Sequence, residues 1–245
     1  MSFCLGIKVA QGLIGIADSR VTSGTEHSTA RKVSIHQNGH HSMFVMTSGL
    51  RSVRDKALTY FEDVMEEEEE GRYDKLYKAV NAFAEQIRRA AREDKQALAE
   101  SGLPFNLHAL VGGQLENDRE HKLYLLYPQA NWVEIGEGTP YYIIGETGYG
   151  KPLLDRALRY ETPMELALKI GYLAFDATRT SATDVDFPLD IVSYRCGSYT
   201  LTEHCFGREA LIGTSDWWQE QLRLLVDQAP APWIGEVFLP GPAAP

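Results

Sequence analysis

Ser2, Asp18 and Lys32 are the residue types of a complete nucleophilic centre, and all three fall within the first 32 positions. Removal of the initiator Met1 would leave Ser2 first in the chain, with a hydroxyl and a free α-amine on one residue. An α-amine titrates at about pH 7.7–8.0, so it can take the proton of the hydroxyl beside it. A nearby Lys ammonium would hold that amine neutral, and a carboxylate would hold the Lys. While Met1 remains, the nitrogen of Ser2 is an amide and cannot act as a base. Each residue alone has a plainer reading: a small residue after Met, a turn Asp, a solvated Lys. Their joint placement is what points to chemistry.

The elements that must position them read as strands first. Ser2 to Val9 is an apolar strand, Gln11-Gly12 turns, and Leu13 to Ala17 returns towards Asp18. Val21 to Ala30 is polar and reads as a loop. Lys32 to His36 and Met43 to Thr47 are strands about the hairpin signal Asn38-Gly39. Helices follow over about Leu50–Glu69 and Tyr73–Glu100, the second with Leu76, Val80, Phe83, Ile87 and Ala91 at helical spacing. Strands resume at Asn106–Gly113, Lys122–Tyr127, Trp132–Ile135 and Tyr141–Ile144. A helix pair covers Lys151–Arg159 and Pro163–Thr178. Strands Leu189–Arg195 and Tyr199–Leu201 precede a helix over Ser215–Asp227, and Ala229–Pro245 reads as an extended tail. Strands, two helices, strands, two helices, strands, joined by hairpins, describe two stacked antiparallel sheets with helix pairs outside. The expected fold is therefore α+β, a four-layer αββα sandwich in one domain, with a core to about residue 227.

The 245 residues carry 24 Lys and Arg against 34 Asp and Glu, a net charge of −10. That balance argues against nucleic acid or an anionic membrane as the main partner. No run approaches the roughly 18 apolar residues that span a bilayer, and the first residues lack a signal-peptide pattern. The three cysteines, Cys4, Cys196 and Cys205, are sparse and without CxxC spacing. They read as packing residues in a reducing cytoplasm.

Gly145-Glu-Thr-Gly-Tyr-Gly150-Lys151 follows a strand, precedes a helix and fits the G-x-x-x-x-G-K of a phosphate-binding loop. Pro152 then stands where Ser or Thr must coordinate Mg²⁺, and it offers neither a hydroxyl nor an N–H. Pro suits the first turn of a helix instead. His36, His40 and His41 flank a turn without the Cys or carboxylate spacing of a metal site, so no metal is implied. Met65 to Gly71 reads as a solvated, frayed helix end, and Trp217-Trp218 as packing residues.

Taken together, Ser2 ahead of a strand, Ala17-Asp18-Ser19-Arg20, Arg31-Lys32-Val33 and Met46-Thr47-Ser48-Gly49 opening a helix resemble a proteasome β-type subunit, an N-terminal-nucleophile (Ntn) hydrolase. The segment Gly145-Glu-Thr-Gly-Tyr-Gly-Lys-Pro-Leu-Leu-Asp155-Arg156 is similar to the bacterial proteasome-related group called Anbu, the ancestral β-subunit, and the likeness covers roughly residues 2 to 225. The resemblance implies Ser2 as nucleophile, where the family more often has Thr, with its own α-amine as base. Lys32 would lower the pKa of that amine, Asp18 would orient Lys32, and Arg20 would tie the loop behind the site. The backbone N–H of Ser48 would form the oxyanion hole, with Gly49 as a second candidate donor. Ser181-Ala182-Thr183-Asp184 occupies the place of the family's Asp-x-x-Ser, with Ser181 and Asp184 exchanged in type. By the same analogy Met46 and Leu50 would line the first specificity pocket. The expected protein is a cytoplasmic hydrolase of peptide or amide bonds, without a cofactor, forming a homo-oligomeric ring or open helical array. The alternative is a catalytically silent, structural proteasome-like subunit, which the exchanged Ser181/Asp184 pair favours.

Overall fold

Along the chain of the computed structural model the strands β1 (Phe3–Val9) and β2 (Gly12–Asp18) come first and are buried end to end. They are followed by β3 (Arg20–Ser23), β4 (Glu26–Thr29), β5 (Val33–Asn38) and β6 (His41–Gly49), then α1 (Arg51–Glu66) and α2 (Leu76–Glu100). The strands β7 (Leu107–Gln114), β8 (Lys122–Leu126), β9 (Trp132–Glu134) and β10 (Tyr141–Gly145) lead to α3 (Lys151–Ala157) and α4 (Met164–Ser181). The chain closes with β11 (Leu189–Arg195), β12 (Leu201–Phe206), α5 (Arg208–Gln228) and α6 (Ile234–Val237). The structure describes residues 2–23, 26–66 and 73–238. Met1, most of the glutamate run and the end of the tail lie outside them.

Two five-stranded antiparallel sheets result, ordered β10-β1-β2-β11-β12 and β5-β6-β7-β8-β9. Side chains of alternating parity divide between two cores, as a period of two requires. Phe44, Met46 and Leu110 point between the sheets with Cys4, Ala17 and Val192. Met43, Val45, Ala109 and Val111 point the other way, onto Phe61, Val80 and Phe83 of α1 and α2. On the far face of the first sheet, Leu5, Ile7 and Ile16 come so close to α4 that Gly171 has no room for a side chain. The layers run helices, sheet, sheet, helices: the αββα sandwich expected from the pattern of elements.

The sheets approach closely where side chains are missing. A Cβ on Gly6 would lie 3.1 Å from Leu123, and one on Gly15 would lie 3.1 Å from Phe44 and Met46. This close contact stacks the head of β1 beside the end of β6, the two strands on which the expected nucleophile and oxyanion donor sit.

Contacts divide the chain into two compact units between Arg208 and Glu209. The second unit, α5 and α6 among its described residues, exposes Trp217, Leu224, Leu225 and Val226. No helix of the described residues is long and apolar enough to cross a membrane.

The sequence pattern misreads four places. The polar stretch after Arg20 is not a loop but the β3–β4 ribbon, paired Arg20 to Thr29. Its two strands belong to neither sheet, and their polar, Thr- and Ser-rich sequence gives no alternating apolar signal. β12 starts where the expected strand ends, because Ser198–Thr200 turns through Gly197 and Tyr199 at positive φ; as an edge strand it keeps polar Thr202, Glu203 and His204 exposed. Helix α5 starts seven residues before Ser215 and runs through Gly213 and Thr214, residues of lower helix propensity that context overrides. The expected extended tail contains the short helix α6.

Candidate active site

Ser2 is held at the head of β1 by its backbone. Its carbonyl accepts a 2.7 Å hydrogen bond from Glu146 N–H. The next N–H, that of Phe3, donates to Asp18 Oδ1 at 2.7 Å. Phe3 pairs with Gly145, whose φ of +94° and closeness to Ser2 leave no place for a Cβ, which would stand 1.9 Å from the Ser2 carbonyl oxygen. The glycine that opens the apparent phosphate loop thus serves to pack Ser2.

Asp18 ends β2 fully buried, and Lys32, 7% exposed, reaches it from just before β5. Lys32 Nζ donates to Asp18 Oδ1 and to the Arg20 carbonyl, both at 2.7 Å. Arg20 in turn donates through Nη1 to Asp186 Oδ2 at 3.2 Å, and Arg208 clamps both oxygens of the same carboxylate. Burial pushes the Asp18 carboxyl up from its ordinary value, against the pull of the Lys32 ammonium and the Phe3 N–H. From the facing sheet, Ser48 near the end of β6 brings its hydroxyl to 2.5 Å from Ser2 Oγ. Gly49 follows at φ +143°, its Cα against the Asn106 carbonyl, and turns the chain into α1. The buried Cys4 thiol lies one residue pair away and donates to the Thr47 carbonyl at 3.6 Å. Burial pushes its pKa up to about 12, so it stays protonated and is no rival nucleophile.

No protein-family model matches the chain, and no curated protein sequence does. Solved structures do match it over nearly its full length. The Anbu complex of Pseudomonas aeruginosa, solved as a helical assembly, is 26% identical and covers 94% of this chain and 98% of its own, with a TM-score of 0.88. Anbu, the ancestral β-subunit, from Yersinia bercovieri is 27% identical over 94% and 98%, with a TM-score of 0.83. The chain has the fold of the Anbu proteins and resembles them over nearly its whole length. A Gly-1 mutant of Anbu from Hyphomicrobium sp. strain MC1, 24% identical over 93% and 99% with a TM-score of 0.85, shares the fold. The proteasome-like relationship expected from Ser2, Asp18, Lys32 and Ser48 is therefore present in the whole architecture.

Within this chain, Ser2, Asp18, Lys32, Arg20, Ser48 and Gly49 come together as one constellation. The remaining expected residues do not all join it. Ser181 ends α4, is exposed, and makes no hydrogen bond to Ser2 among the described residues. Asp184 sits half-buried in the following turn. Met46 is a correction: its parity on β6 points it between the sheets, where it is fully buried against Gly15, so it lines no open pocket. Leu50 packs against the core between α1, α2 and their sheet. Lys151 spends its charge on Asp155, at 2.8 and 2.9 Å, rather than facing an open loop, and Pro152 sits in the first turn of α3. Cys196 and Cys205 are exposed, contrary to the packing role expected of them.

Two groups near the site escaped the sequence. Ser19 Oγ donates to Asp190 Oδ2 at 2.5 Å, tying β2 to β11 directly behind Asp18. His108 stands opposite Ser48 in the β6–β7 register. Only the pairing of strands about 60 residues apart brings it there, and nothing in the local sequence marks it.

Proposed function

We propose that the chain is an Ntn-type amide hydrolase in which Ser2 is the nucleophile. The observation that carries this reading is the buried Asp18–Lys32 pair beneath Ser2, with Asp18 also bound to the next backbone N–H. A buried ion pair is a costly way to gain stability, and here it sits where a charge would tune the Ser2 nitrogen. In the proposed reaction Ser2 Oγ attacks a peptide or amide carbonyl once Met1 is removed, and its α-amine takes the proton. The oxygen becomes an oxyanion against the N–H of Ser48, with Gly49 as the second candidate donor. The amine leaves with the proton, and water hydrolyses the ester. Lys32 and Asp18 set the charge around the amine, and Arg20 fixes the loop through Asp186.

The protein acts in a reducing cytoplasm on this reading, which fits its free cysteines. Self-assembly is part of the proposal, supported by the helical assembly of the Pseudomonas relative and by the exposed apolar residues of α5. A second reading, a silent assembly subunit, is favoured by the exposed position of Ser181 and the exchanged types at Ser181 and Asp184.

Intact-mass analysis after treatment with a hydroxyl-reactive β-lactone separates the two. The hydrolase reading expects one adduct per chain, mapped to Ser2 and absent from Ser2→Ala. An unlabelled Ser2 in the Met1-free protein, or full amidase activity in Ser2→Ala, overturns it in favour of the silent subunit.

A further inference from the structure

The hydroxyl of Ser48 is not needed for an oxyanion hole, which uses only its backbone N–H, yet it lies 2.5 Å from the nucleophile oxygen. At that distance one hydroxyl donates to the other. A hydroxyl is a poor base by itself, so a proton received from Ser2 must be handed on as it arrives.

The sheet supplies the next acceptor. Ser48 and His108 are directly opposed in the β6–β7 ladder. Opposed residues share a face, with Cβ atoms about 4.5–5.5 Å apart. Parity puts that face between the sheets, since Met46 on β6 and Leu110 on β7 both point there while Val45 and Ala109 point to the helices. Ser48, whose hydroxyl reaches Ser2 from this face, and His108 therefore stand side by side on the wall that looks onto the head of β1. No direct hydrogen bond joins the two side chains, and an imidazole on that spacing reaches a neighbouring hydroxyl through one water. On its other side the His108 ring meets Tyr127 edge-on, with centroids 6.4 Å apart.

We propose that Ser2, Ser48 and His108 form a hydroxyl–hydroxyl–imidazole relay, in which His108 is a second terminal proton acceptor for attack by Ser2, beside the α-amine. This rests on the reading of Ser2 as nucleophile and adds a base that does not depend on a free α-amine. As the Ser2 Oγ–carbonyl carbon bond forms, the Ser2 proton passes to Ser48 Oγ, and the Ser48 proton passes through one water to the imidazole. The carbonyl π pair moves onto the oxygen facing the Ser48 N–H. When the tetrahedral intermediate collapses, the C–N bond breaks and the imidazolium returns its proton through Ser48 to the leaving amine. Water then repeats the path in reverse on the ester. The base must be neutral at rest, and burial alone, without a charged neighbour among the causes, holds His108 below the usual imidazole value.

The test follows the rate of β-lactone acylation of Ser2, by peptide mass mapping, in the full chain with and without Met1. Ser48→Ala and His108→Gln are each expected to slow labelling about 10²–10⁴-fold, the range of general-base catalysis. Free imidazole is expected to restore labelling in His108→Ala, and in the chain that keeps Met1, where the α-amine is blocked, the fall in rate on acidification is expected to vanish in His108→Gln. A wild-type rate in His108→Gln overturns the relay, and so does a loss that imidazole does not rescue and that leaves the acid limb unchanged. A wild-type protein unlabelled at Ser2 in both forms overturns the nucleophile assignment itself, a distinct result.

Discussion

Asp18→Asn isolates the charge under the candidate nucleophile. The amide keeps nearly the same volume and the one oxygen that accepts from both the Phe3 N–H and Lys32, but it removes the negative charge that neutralises the Lys32 ammonium. Because Asp18 is 0% and Lys32 7% exposed, solvent does not replace the lost carboxylate. Breaking a buried pair in this way costs about 3–5 kcal/mol, a large part of the roughly 5–15 kcal/mol that holds a domain folded. Lys32→Met leaves the complementary orphan, a buried carboxylate whose Oδ2 already lacks a hydrogen-bond partner, and is expected to cost a similar amount. The double variant Asp18→Asn/Lys32→Met buries no charge and is expected to be more stable than either single variant. Urea unfolding of all four proteins, at one protein concentration because assembly shifts apparent stability, gives the coupling. A cost for Asp18→Asn below about 1 kcal/mol, the level of an exposed pair, would refute the reasoning. So would a double variant whose loss equals the sum of the two singles.

Gly145→Ala is expected to destabilise by at least about 2 kcal/mol, since it combines a φ of +94° with a methyl 1.9 Å from the Ser2 carbonyl oxygen; an unchanged urea midpoint and unchanged Ser2 labelling would contradict it. His121 makes the fold acid-sensitive: its Nε2 meets the Val9 carbonyl at 2.8 Å, Nδ1 is buried without a partner, and burial lowers its pKa. A folded pKa below the unfolded value of about 6.5 means that stability is present above that pH and is lost as the pH falls towards the folded value. The urea midpoint of the wild type should therefore drop below pH 6.5 more steeply than that of His121→Gln, and parallel curves would refute this.

Much of the architecture was legible because burial writes itself into the sequence. β1 and β2 are unbroken apolar runs, Asn38-Gly39 marks its hairpin, and the spacing of Leu76, Val80, Phe83 and Ile87 marks α2. Ser2, Asp18, Lys32 and Ser48 could be singled out because each stands at or beside the end of a strand that its apolar pattern marks. What sequence could not give was geometry made by long-range pairing. Met46 was misplaced because parity on β6, not proximity to Ser48, decides which way it points. His108 was missed because only the β6–β7 register carries it to Ser48. β3 and β4 were missed because they pair only with each other, outside both sheets, in a stretch rich in polar residues.

The thin contact between the sheets has a consequence for how the site can vary. β1 carries Ser2 and β6 carries Ser48, so the width of the slot between those two hydroxyls is the spacing of the two walls themselves. Gly6, four residues from Ser2 on β1, and Gly15 on the neighbouring strand act as its shims. A single methyl at either one would stand 3.1 Å from Leu123 or from Phe44 and Met46, so these side chains must give by a few tenths of an ångström, and where they cannot, the strain falls on the 2.5 Å separation of Ser2 and Ser48. The aperture of the site is thus adjustable from the interior of the sandwich, by residues that carry no chemistry of their own.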